Sequence, residues 1–209
     1  DAGLLSIATT GSVTLDASYN LAAASGGRGA SVDISALKLA ITSGNPSGID
    51  PAATRIDADK LNALGAESLL LGGTRSASGD TTTLTIGAET VTLANDAAHA
   101  LKGGEIILAA KDTLTLKAGS AIDAQGGAGD AGLYTAAGNG ALVRAASSKA
   151  SFERSGSPDG TSGTLIGEAG STIKASSSIA LDATKKNDFQ GTTIFADGKG
   201  NAVAGNLAM

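Results

Sequence analysis

The chain has 209 residues, a formal net charge of −5 and only 2% aromatic residues, with no Trp and no Cys. Neutralising nucleic-acid phosphates requires clustered Lys and Arg, so this acidic chain is not expected to bind nucleic acid. No apolar run approaches the roughly 20 residues that span a membrane, which predicts no membrane insertion. At 42% hydrophobic and 17% charged residues, the chain has enough apolar surface to fold, and the few aromatics predict a thin aliphatic core.

Short apolar runs that alternate with polar residues follow one another along the chain. The run from Thr113 to Lys117 is the clearest, because Leu114 and Leu116 point one way and the threonines the other, as in a half-buried strand. Runs this short, parted by such short breaks, leave no room for the helices of βαβ crossovers. In chain order we predict strands near 11–17, 31–35, 37–41, 55–58, 68–71, 83–86, 90–93, 106–108, 113–117, 121–124, 141–143, 164–166, 171–174, 178–183, 192–195 and 201–207.

One tripeptide recurs with variation: Leu-Asp-Ala at 15–17 and 181–183, and Ile-Asp-Ala at 56–58 and 122–124. Early runs repeat after about 20 residues, a period that indicates a solenoid, and strands this short indicate a β-solenoid. One turn cannot stabilise itself, because ordering about 20 residues costs about 30 kcal/mol, whereas each of about five buried aliphatic side chains contributes only about 1.5–3 kcal/mol. Stacked turns share hydrogen bonds and cover each other, so residues 1–209 are predicted to form a single β-solenoid domain.

Two segments interrupt this rhythm. Residues 95–102 have the composition of a short helical turn capped by Asn95 or Asp96, although a loop fits the segment equally well. Residues 126–163 are rich in Gly, Ser and Ala, with one firm strand at 141–143. In this second segment we expect an irregular excursion from the solenoid, or irregular turns.

Two groups of residues are candidates for cation binding. The stretch from Gly126 to Asp130 resembles the start of a glycine-rich calcium-binding nonapeptide, but its Asp comes one place early and no second copy follows. Such sites need stacked copies, so a turn is favoured over calcium. The second group is the acidic residues of the recurring tripeptides, Asp16, Asp57, Asp123 and Asp182. Stacked about 4.8 Å apart, they would repel each other unless cations lay between them. Bonding of each Asp to backbone amides at corners is the favoured alternative.

His99 is the only histidine, and without Cys it cannot assemble a His-based zinc site. No GxSxG or GxxxxGK(S/T) motif is present, so neither a hydrolase triad nor a nucleotide-binding loop is predicted. Solenoid polysaccharide lyases and hydrolases are the enzyme alternative, and they need clustered charged residues in a cleft. Only Arg144 and Arg154, near Tyr134 and Phe152, mark a place for a ligand site. We therefore predict no catalytic residue, no metal site and no cofactor.

Three phrases give the chain a family resemblance. They are LNALGAESLLLGGTR at 61–75, GGEIILAAKDTLTLKAGSAIDAQG at 103–126, and GNGALVRAASSKASFERSG followed by GTLIGEAGSTIKASSSIALDAT within 138–184. In the order and spacing of these phrases, the chain resembles the filamentous-haemagglutinin family of large bacterial exoproteins over most of residues 54–207. The first 50 residues match the family only in their general repeat style.

The resemblance implies a right-handed parallel β-helix within a very long fibre, exported through a partner pore in the outer membrane by two-partner secretion. It also implies a secreted or cell-surface location on a Gram-negative bacterium, which the absence of Cys fits. The chain starts at Asp1 without Met and shows no signal peptide, so we expect a mature or excised segment of a longer protein. Family members act as adhesins, biofilm-matrix proteins or toxin-delivery stalks.

The sequence thus predicts a non-catalytic structural rod segment of an adhesin or biofilm-matrix exoprotein. Its expected partners are other segments of the same long chain, with host or matrix glycans and proteins as further partners. The runner-up is a self-assembling extracellular filament subunit, joined end-to-end to identical subunits through open solenoid edges. A β-helix polysaccharide-active enzyme is the remote alternative.

Overall fold

The computed structural model describes residues 3–17, 19–21, 23, 25, 27–127 and 132–209. Short strands dominate this part of the chain, so the protein is all-β. The strands are β1 (Leu4–Thr9), β2 (Ser31–Ala36), β3 (Lys38–Thr42), β4 (Thr54–Asp57), β5 (Ser68–Leu71), β6 (Gly73–Ser78), β7 (Thr81–Ile86), β8 (Thr90–Ala94), β9 (Leu101–Gly103), β10 (Glu105–Ala110), β11 (Thr113–Leu116), β12 (Ala121–Ala124), β13 (Leu133–Ala137), β14 (Ala141–Ala146), β15 (Ser151–Ser155), β16 (Thr164–Gly167), β17 (Thr172–Ala175), β18 (Ser178–Ala183), β19 (Lys186–Phe189), β20 (Thr192–Phe195) and β21 (Asn206–Ala208). A short helix, α1 (Ala58–Ala63), directly follows β4.

Within the described residues these strands form four sheets, three of which share one core. Sheet I has the order β1-β2-β5-β10-β14-β18-β21, sheet II the order β19-β16-β11-β8-β3-β4, and sheet III the order β20-β17-β12-β9. The fourth sheet, called the outer sheet, has the order β15-β13-β7-β6. The chain visits sheets I, II and III in a repeating order, as in β10, β11 and β12 and again in β18, β19 and β20. Partner strands such as β8 and β11, or β16 and β19, are parallel and start about 20 residues apart, which is the predicted period.

The core forms because each strand turns every second side chain inward and in-register pairing stacks these side chains in columns. In sheet I, two such columns cross five neighbouring strands: Val32, Leu69, Ile106, Ala145 and Ile179, and beside them Ile34, Leu71, Leu108, Val143 and Leu181. All of these residues are buried in the main core. So are the apolar members of the recurring tripeptides, Leu15, Ile56, Ile122 and Leu181. Neighbouring strands thus cover each other's apolar surface, as stacked repeats do.

The segment 126–163 was predicted to be an irregular excursion from the solenoid, or irregular turns, with one strand at 141–143. It contains three regular strands. Strands β13 and β15 lie in the outer sheet, where they pair in parallel with each other. Between them β14 enters sheet I antiparallel to both β10 and β18. The chain therefore leaves sheet III, crosses in the outer sheet, returns along sheet I and crosses again before β16. The alternation of residues 141–146 indicates a strand but carries no information about its direction. The reversal of β14 results from the two crossings on either side of it.

The outer sheet covers the outward face of sheet I and creates a second, smaller core. Leu70 and Ile107 of sheet I belong to this second core, together with Leu84 and Tyr134 of the outer sheet. The chain passes from β5 to the outer sheet at Gly72, whose φ of 101° lies in a region that favours glycine. A Cβ at Gly72 would collide with the carbonyl oxygen of Ala109, so the close approach of the two backbones also requires glycine. In this region, sheet I therefore has two buried faces.

Within the segment 95–102, residues 95–100 form a turn and not a helix, and residues 101 and 102 begin β9. Asp96 accepts hydrogen bonds from the N–H groups of Ala98 and His99, as the predicted cap would. The Asn95 side chain donates to the backbone oxygen of Ala121 and accepts from its N–H, at 2.9 and 3.0 Å. The turn ends where β9 begins. Asn95 thus joins this turn to the neighbouring strand β12.

Two further predictions differ from the structure near the amino-terminal end. Helix α1 occupies positions that the sequence pattern did not mark as helical, and Asp57 caps it by accepting from the N–H groups of Asp59 and Lys60. Residues 11–17 form no regular strand. Val13 and Leu15 still pack against or within the main core, as their alternation predicts. Among the described residues, no helix is both long and apolar enough to cross a membrane.

Candidate functional site: a buried ion network and its cleft

Charged and polar side chains meet between sheet I and the outer sheet. We call them the interlayer network, and they are Asp33, Ser68, Arg75, Glu105, Tyr134, Arg144, Ser148 and Ser178. The register of sheet I explains the arrangement. Glu105 shares one outward column with Ser68 and Ser178, and Arg144 shares the adjacent column with Asp33. The outer sheet adds Arg75 from β6 and Tyr134 from β13.

Glu105 is the centre of the interlayer network. Its Oε1 accepts a hydrogen bond from Nε of Arg144 at 2.6 Å. Its Oε2 accepts from the hydroxyls of Ser68 at 2.5 Å and Tyr134 at 2.8 Å. The side chains of Glu105 and Arg144 are only 5% and 3% exposed. A buried ion pair persists only when further hydrogen bonds satisfy both ions, and these contacts meet that condition.

Arg144 has partners on several sides. Its Nη1 donates to the hydroxyl of Ser178 at 2.8 Å, and its Nη2 donates to the hydroxyl of Ser148 at 3.1 Å. The guanidinium carbon lies 5.2 Å from the centre of the Tyr134 ring, within the range of a cation–π contact. Arg144 is thus held by both layers, which indicates a structural role for this side chain.

Arg75 ties the edge of the outer sheet to sheet I. Its Nε donates to Oδ1 of Asp33 at 2.6 Å and its backbone N–H donates to Oδ2 at 2.7 Å. Its Nη1 donates to the hydroxyl of Ser68 at 2.5 Å, which in turn donates to Glu105. The Arg75 side chain is 8% exposed and the Asp33 side chain is fully buried. The two ion pairs therefore form one continuous chain of contacts.

The two buried carboxylates respond differently to this environment. Burial acts to raise the pKa of Glu105, but the charge of Arg144, the Ser68 hydrogen bond, Arg75 and Tyr134 together hold that pKa below its ordinary value. Burial raises the pKa of Asp33, and the charge and hydrogen bonds of Arg75 offset this only in part. Burial, followed by the nearby charge of Glu105, raises the pKa of the Tyr134 hydroxyl. Tyr134 is therefore a hydrogen-bond donor at all physiological pH values.

A second arginine clamps the opposite edge of the outer sheet. Nε of Arg154 on β15 donates to Oδ1 of Asp182 on β18 at 2.5 Å. The Arg154 guanidinium also lies 5.5 Å from the ring centre of Phe152. Both edge strands, β6 and β15, thus carry an arginine directed inward onto an aspartate of sheet I. Inward-pointing charges of this kind discourage pairing of an edge strand with another chain.

A cleft of about 230 Å³, here called the interlayer cleft, opens beside the interlayer network. Ala77 and Thr82 of the outer sheet face Ser31 of sheet I across it, and Arg75, Glu105 and Tyr134 also line it. At the rim, Nε of Arg28 lies 3.5 Å from Oε1 of Glu67. The cleft is therefore polar and carries paired charges.

Glu67 and Glu105 both line the interlayer cleft, which raises the enzyme alternative again. A glycosidase needs a carboxylic acid whose pKa is raised so that it can protonate the leaving group. The pKa of Glu105 is lowered, and its two oxygens already accept three hydrogen bonds. Glu105 is thus suited to holding structure and not to donating a proton.

The sequence pointed to this region through Arg144, Arg154, Tyr134 and Phe152. The structure brings them together: Tyr134 and Phe152 are register partners, and each ring lies beside one of the arginines. Sequence reasoning missed the three other charged members, Asp33, Arg75 and Glu105, and the serines Ser68, Ser148 and Ser178. For Glu105 the available signal was a lone charge directly before an apolar run, in the segment EIILAA.

The aspartates of the recurring tripeptides do not stack into a ladder. Asp16 lies 2.8 Å from Nζ of Lys60, and Asp123 lies 3.6 Å from Nζ of Lys174. Asp182 binds Arg154. For all four aspartates, bonding to backbone N–H groups was the favoured prediction. Among the contacts of the described residues, only Asp57 of these four has this arrangement. Asp16 lies in no strand, and Asp57, Asp123 and Asp182 lie in strands of three different sheets, so no two of these carboxylates are register partners in the described strands.

His99 lies on the surface beside two carboxylates. Its Nδ1 is 2.8 Å from Oδ1 of Asp96, and its Nε2 is 3.6 Å from Oδ2 of Asp59. The Ser43 hydroxyl donates to Asp96 and not to the histidine. This order places the carboxylate between Ser43 and His99, whereas a hydrolytic triad needs the histidine in the middle. The arrangement is therefore a surface ion pair.

The candidate calcium motif from Gly126 to Asp130 falls largely on residues 128–130, which lie outside the described residues. Within the described ranges, no three His, Asp or Glu side chains are grouped so that they could hold a metal ion. Asp159, in the loop after β15, accepts hydrogen bonds from Asn139 and Thr161, and these contacts lower its pKa to about 2.

No protein-family model, no curated protein sequence and no solved structure matches the chain.

Proposed function

We propose that the chain is a right-handed parallel β-helix and forms a non-catalytic rod segment of a secreted or cell-surface bacterial adhesin or biofilm-matrix exoprotein. The observation that carries the proposal is the repeated order of sheets I, II and III, with parallel, in-register strands from one repeat to the next. A chain that visits three sheets in a constant order winds around a common axis. The right hand follows from the strong preference of parallel crossover connections for that hand.

The arrangement suits a mechanical role. Each repeat contacts mainly its neighbours, so further repeats lengthen the stack by about 4.8 Å each without a new kind of interface. Apolar columns run along the stack, and stability is shared among many repeats. The secreted location, the outer-membrane export pore and contacts with host or matrix glycans and proteins come from the resemblance to filamentous-haemagglutinin exoproteins. The chain's low aromatic content and lack of Cys are compatible with them.

Negative-stain electron microscopy of the purified protein across a concentration series tests the rod. Short uniform rods whose length does not change with concentration are the expected result. Compact round particles at every concentration would overturn the proposal.

A second candidate is a filament subunit that joins identical copies end-to-end. Large exposed apolar side chains at the edges of the sheets favour it: Leu4 on β1, Ile194 on β20 and Leu207 on β21 are 52%, 40% and 42% exposed. Such edges pair readily with other strands. In the same microscopy series, this candidate predicts filaments that lengthen with concentration, and head-to-tail contacts would make them open-ended.

A further inference from the structure

The interlayer cleft contains hydrogen-bond donors that its own residues leave free. An arginine carries five N–H donors. Among the described residues, Nε of Arg75 donates to Asp33, Nη1 donates to Ser68, and Nη2 reaches the backbone oxygen of Val32 only at 3.5 Å. One N–H on each terminal nitrogen therefore makes no hydrogen bond among the described residues, and Nη1 also lies 3.7 Å from Oε2 of Glu105. The Arg75 side chain lines the cleft and is only 8% exposed, so the residues packed around it fix the position of these donors.

The same cleft also offers acceptors. Tyr134 uses its only proton in donating to Glu105, so its oxygen is left as an acceptor. The carboxylate of Glu105 has about four lone-pair positions and receives three hydrogen bonds. A fitting ligand therefore presents two adjacent acceptors to Arg75 and at least one donor to Tyr134 or Glu105.

The charges around the cleft cancel. Asp33 and Glu105 balance Arg75 and Arg144, and Glu67 at the rim balances Arg28. A charged ligand would add an unpaired charge beside the buried Glu105 and Arg75 side chains, which is costly. A volume of about 230 Å³ is also below the roughly 300–1,000 Å³ of sites for drug-sized ligands. The ligand is therefore small, uncharged and rich in both donors and acceptors.

We propose that the interlayer cleft binds one neutral sugar residue, with a vicinal pair of hydroxyl oxygens accepting from Arg75 and a sugar hydroxyl donating toward Tyr134 and Glu105. Hydroxyl groups both donate and accept, and two adjacent hydroxyls match the two free N–H groups of the guanidinium fork. This site deepens the proposed adhesin function by naming the chemical class of the partner. The sugar site and the rod are tested separately: rods that bind no sugar would overturn the proposed site but not the proposed rod.

The test is a titration of the full chain, followed by NMR chemical shifts or calorimetry, with the methyl glycosides of glucose, galactose and mannose as probes and sodium acetate as the charged comparison. At least one glycoside should bind, and acetate should not. The variant Arg75→Lys keeps the charge but loses the planar fork, and it should weaken binding by about tenfold or more.

A second variant keeps the test valid if Arg75→Lys disturbs folding. Ala77→Leu should fill the cleft without removing any polar group, and it should abolish binding while the thermal unfolding midpoint stays near that of the wild type. The matched control Ser76→Leu, at an exposed neighbour on β6 outside the cleft lining, should bind as the wild type does. Three outcomes would overturn the proposal: none of the glycosides binds, acetate binds in their place, or the sugar affinity is unchanged in Ala77→Leu.

Discussion

At the residue scale, the decisive feature is a charged pair within strands that are otherwise apolar. Glu105 and Arg144 lie side by side in sheet I, and both of their strands are buried along their whole length. Burial of an ion pair is weak evidence for stability, but removing one partner leaves an uncompensated buried charge. The pair therefore acts as a constraint on which strands lie under the outer sheet.

Replacing Arg144 by Met should destabilise the protein by about 3–5 kcal/mol, because Glu105 would stay buried without its counter-ion. The double variant Arg144→Met with Glu105→Gln should recover part of this loss. Lys60→Met, which breaks the exposed pair with Asp16, should change the free energy of unfolding by about 0–1 kcal/mol. Urea unfolding of the three variants measures these differences. Equal effects of Arg144→Met and Lys60→Met would show that the interlayer network is not buried.

The same variant has a distinct pH dependence. In the wild type the folded pKa of Glu105 is below its ordinary value of 4.5, so its contribution to stability is complete above that value and is lost as the pH falls through the folded pKa. In Arg144→Met, burial should raise the folded pKa above the unfolded one. The destabilisation should then shrink as the pH is lowered toward the unfolded pKa. A deficit that grows on acidification would contradict this assignment of charges.

His99 offers a second titration, at the surface. Hydrogen bonding to Asp96, and then the charges of Asp96 and Asp59, raise the pKa of His99 above 6.5, while the pKa of Asp96 falls to about 2. Both partners are therefore charged between the pKa of Asp96 and the raised pKa of His99. The pair's contribution to stability is lost as the pH rises through the folded pKa of His99. The chain has a single histidine, so one NMR signal follows the titration. In Asp96→Asn the midpoint should move down toward 6.5; an unchanged midpoint would exclude the contact.

Alternation along the sequence identified which residues point inward, but not what covers the others. Val32 and Ile34 were correctly assigned to one face and Asp33 to the opposite face. Asp33 is nevertheless fully buried, because the outer sheet covers that face. A period of two indicates two faces, and it cannot tell a solvated face from one covered by a distant part of the chain.

At the scale of elements, the outer sheet is the part that the sequence did not reveal. Its strands β6, β13 and β15 were not predicted, and in β6 and β15 the segments GTRSAS and SFERS contain few apolar residues. Most strands of sheets I, II and III were predicted, because their inward residues are Leu, Ile and Val. Strands β1, β9 and β19 were missed, and the strand predicted at 201–207 is shorter and lies at Asn206–Ala208. Helix α1 was missed for a related reason: the Ile-Asp-Ala tripeptide before it was assigned to a strand corner, whereas Asp57 in fact starts a helix.

Two neighbouring leucines test whether the outer sheet covers sheet I. Leu69 belongs to the main core and Leu70 to the second core. If the outer sheet is in place, Leu69→Ala and Leu70→Ala should each cost about 2–5 kcal/mol of unfolding free energy, because each leaves a cavity. Leu37→Ala, at a side chain that is 56% exposed, should change it by about 0.5 kcal/mol or less. A negligible effect of Leu70→Ala beside a large effect of Leu69→Ala would mean that the outward face of sheet I is uncovered.

At the scale of the whole molecule, the central claim is that successive repeats stack in register around one core. The period of about 20 residues predicted this for strands such as β8 and β11. It failed to predict the reversed strand β14, because reversal depends on two crossings through the outer sheet that leave no periodic signal. The stack tolerates this reversal, since the inward residues of β14 continue both apolar columns of sheet I.

Engineered disulfides test the stacking most directly, and the absence of native Cys makes the result unambiguous. Thr92 and Thr115 are register partners in sheet II, as are Ile166 and Asp188. Neighbouring strands lie about 4.8 Å apart, within the reach of a disulfide. Cysteine pairs at these positions should form intramolecular disulfides on mild oxidation, while Thr92→Cys with Ile166→Cys, two strands apart, should not. Failure of both stacked pairs, or equal cross-linking of the distant pair, would contradict the stacked-repeat architecture.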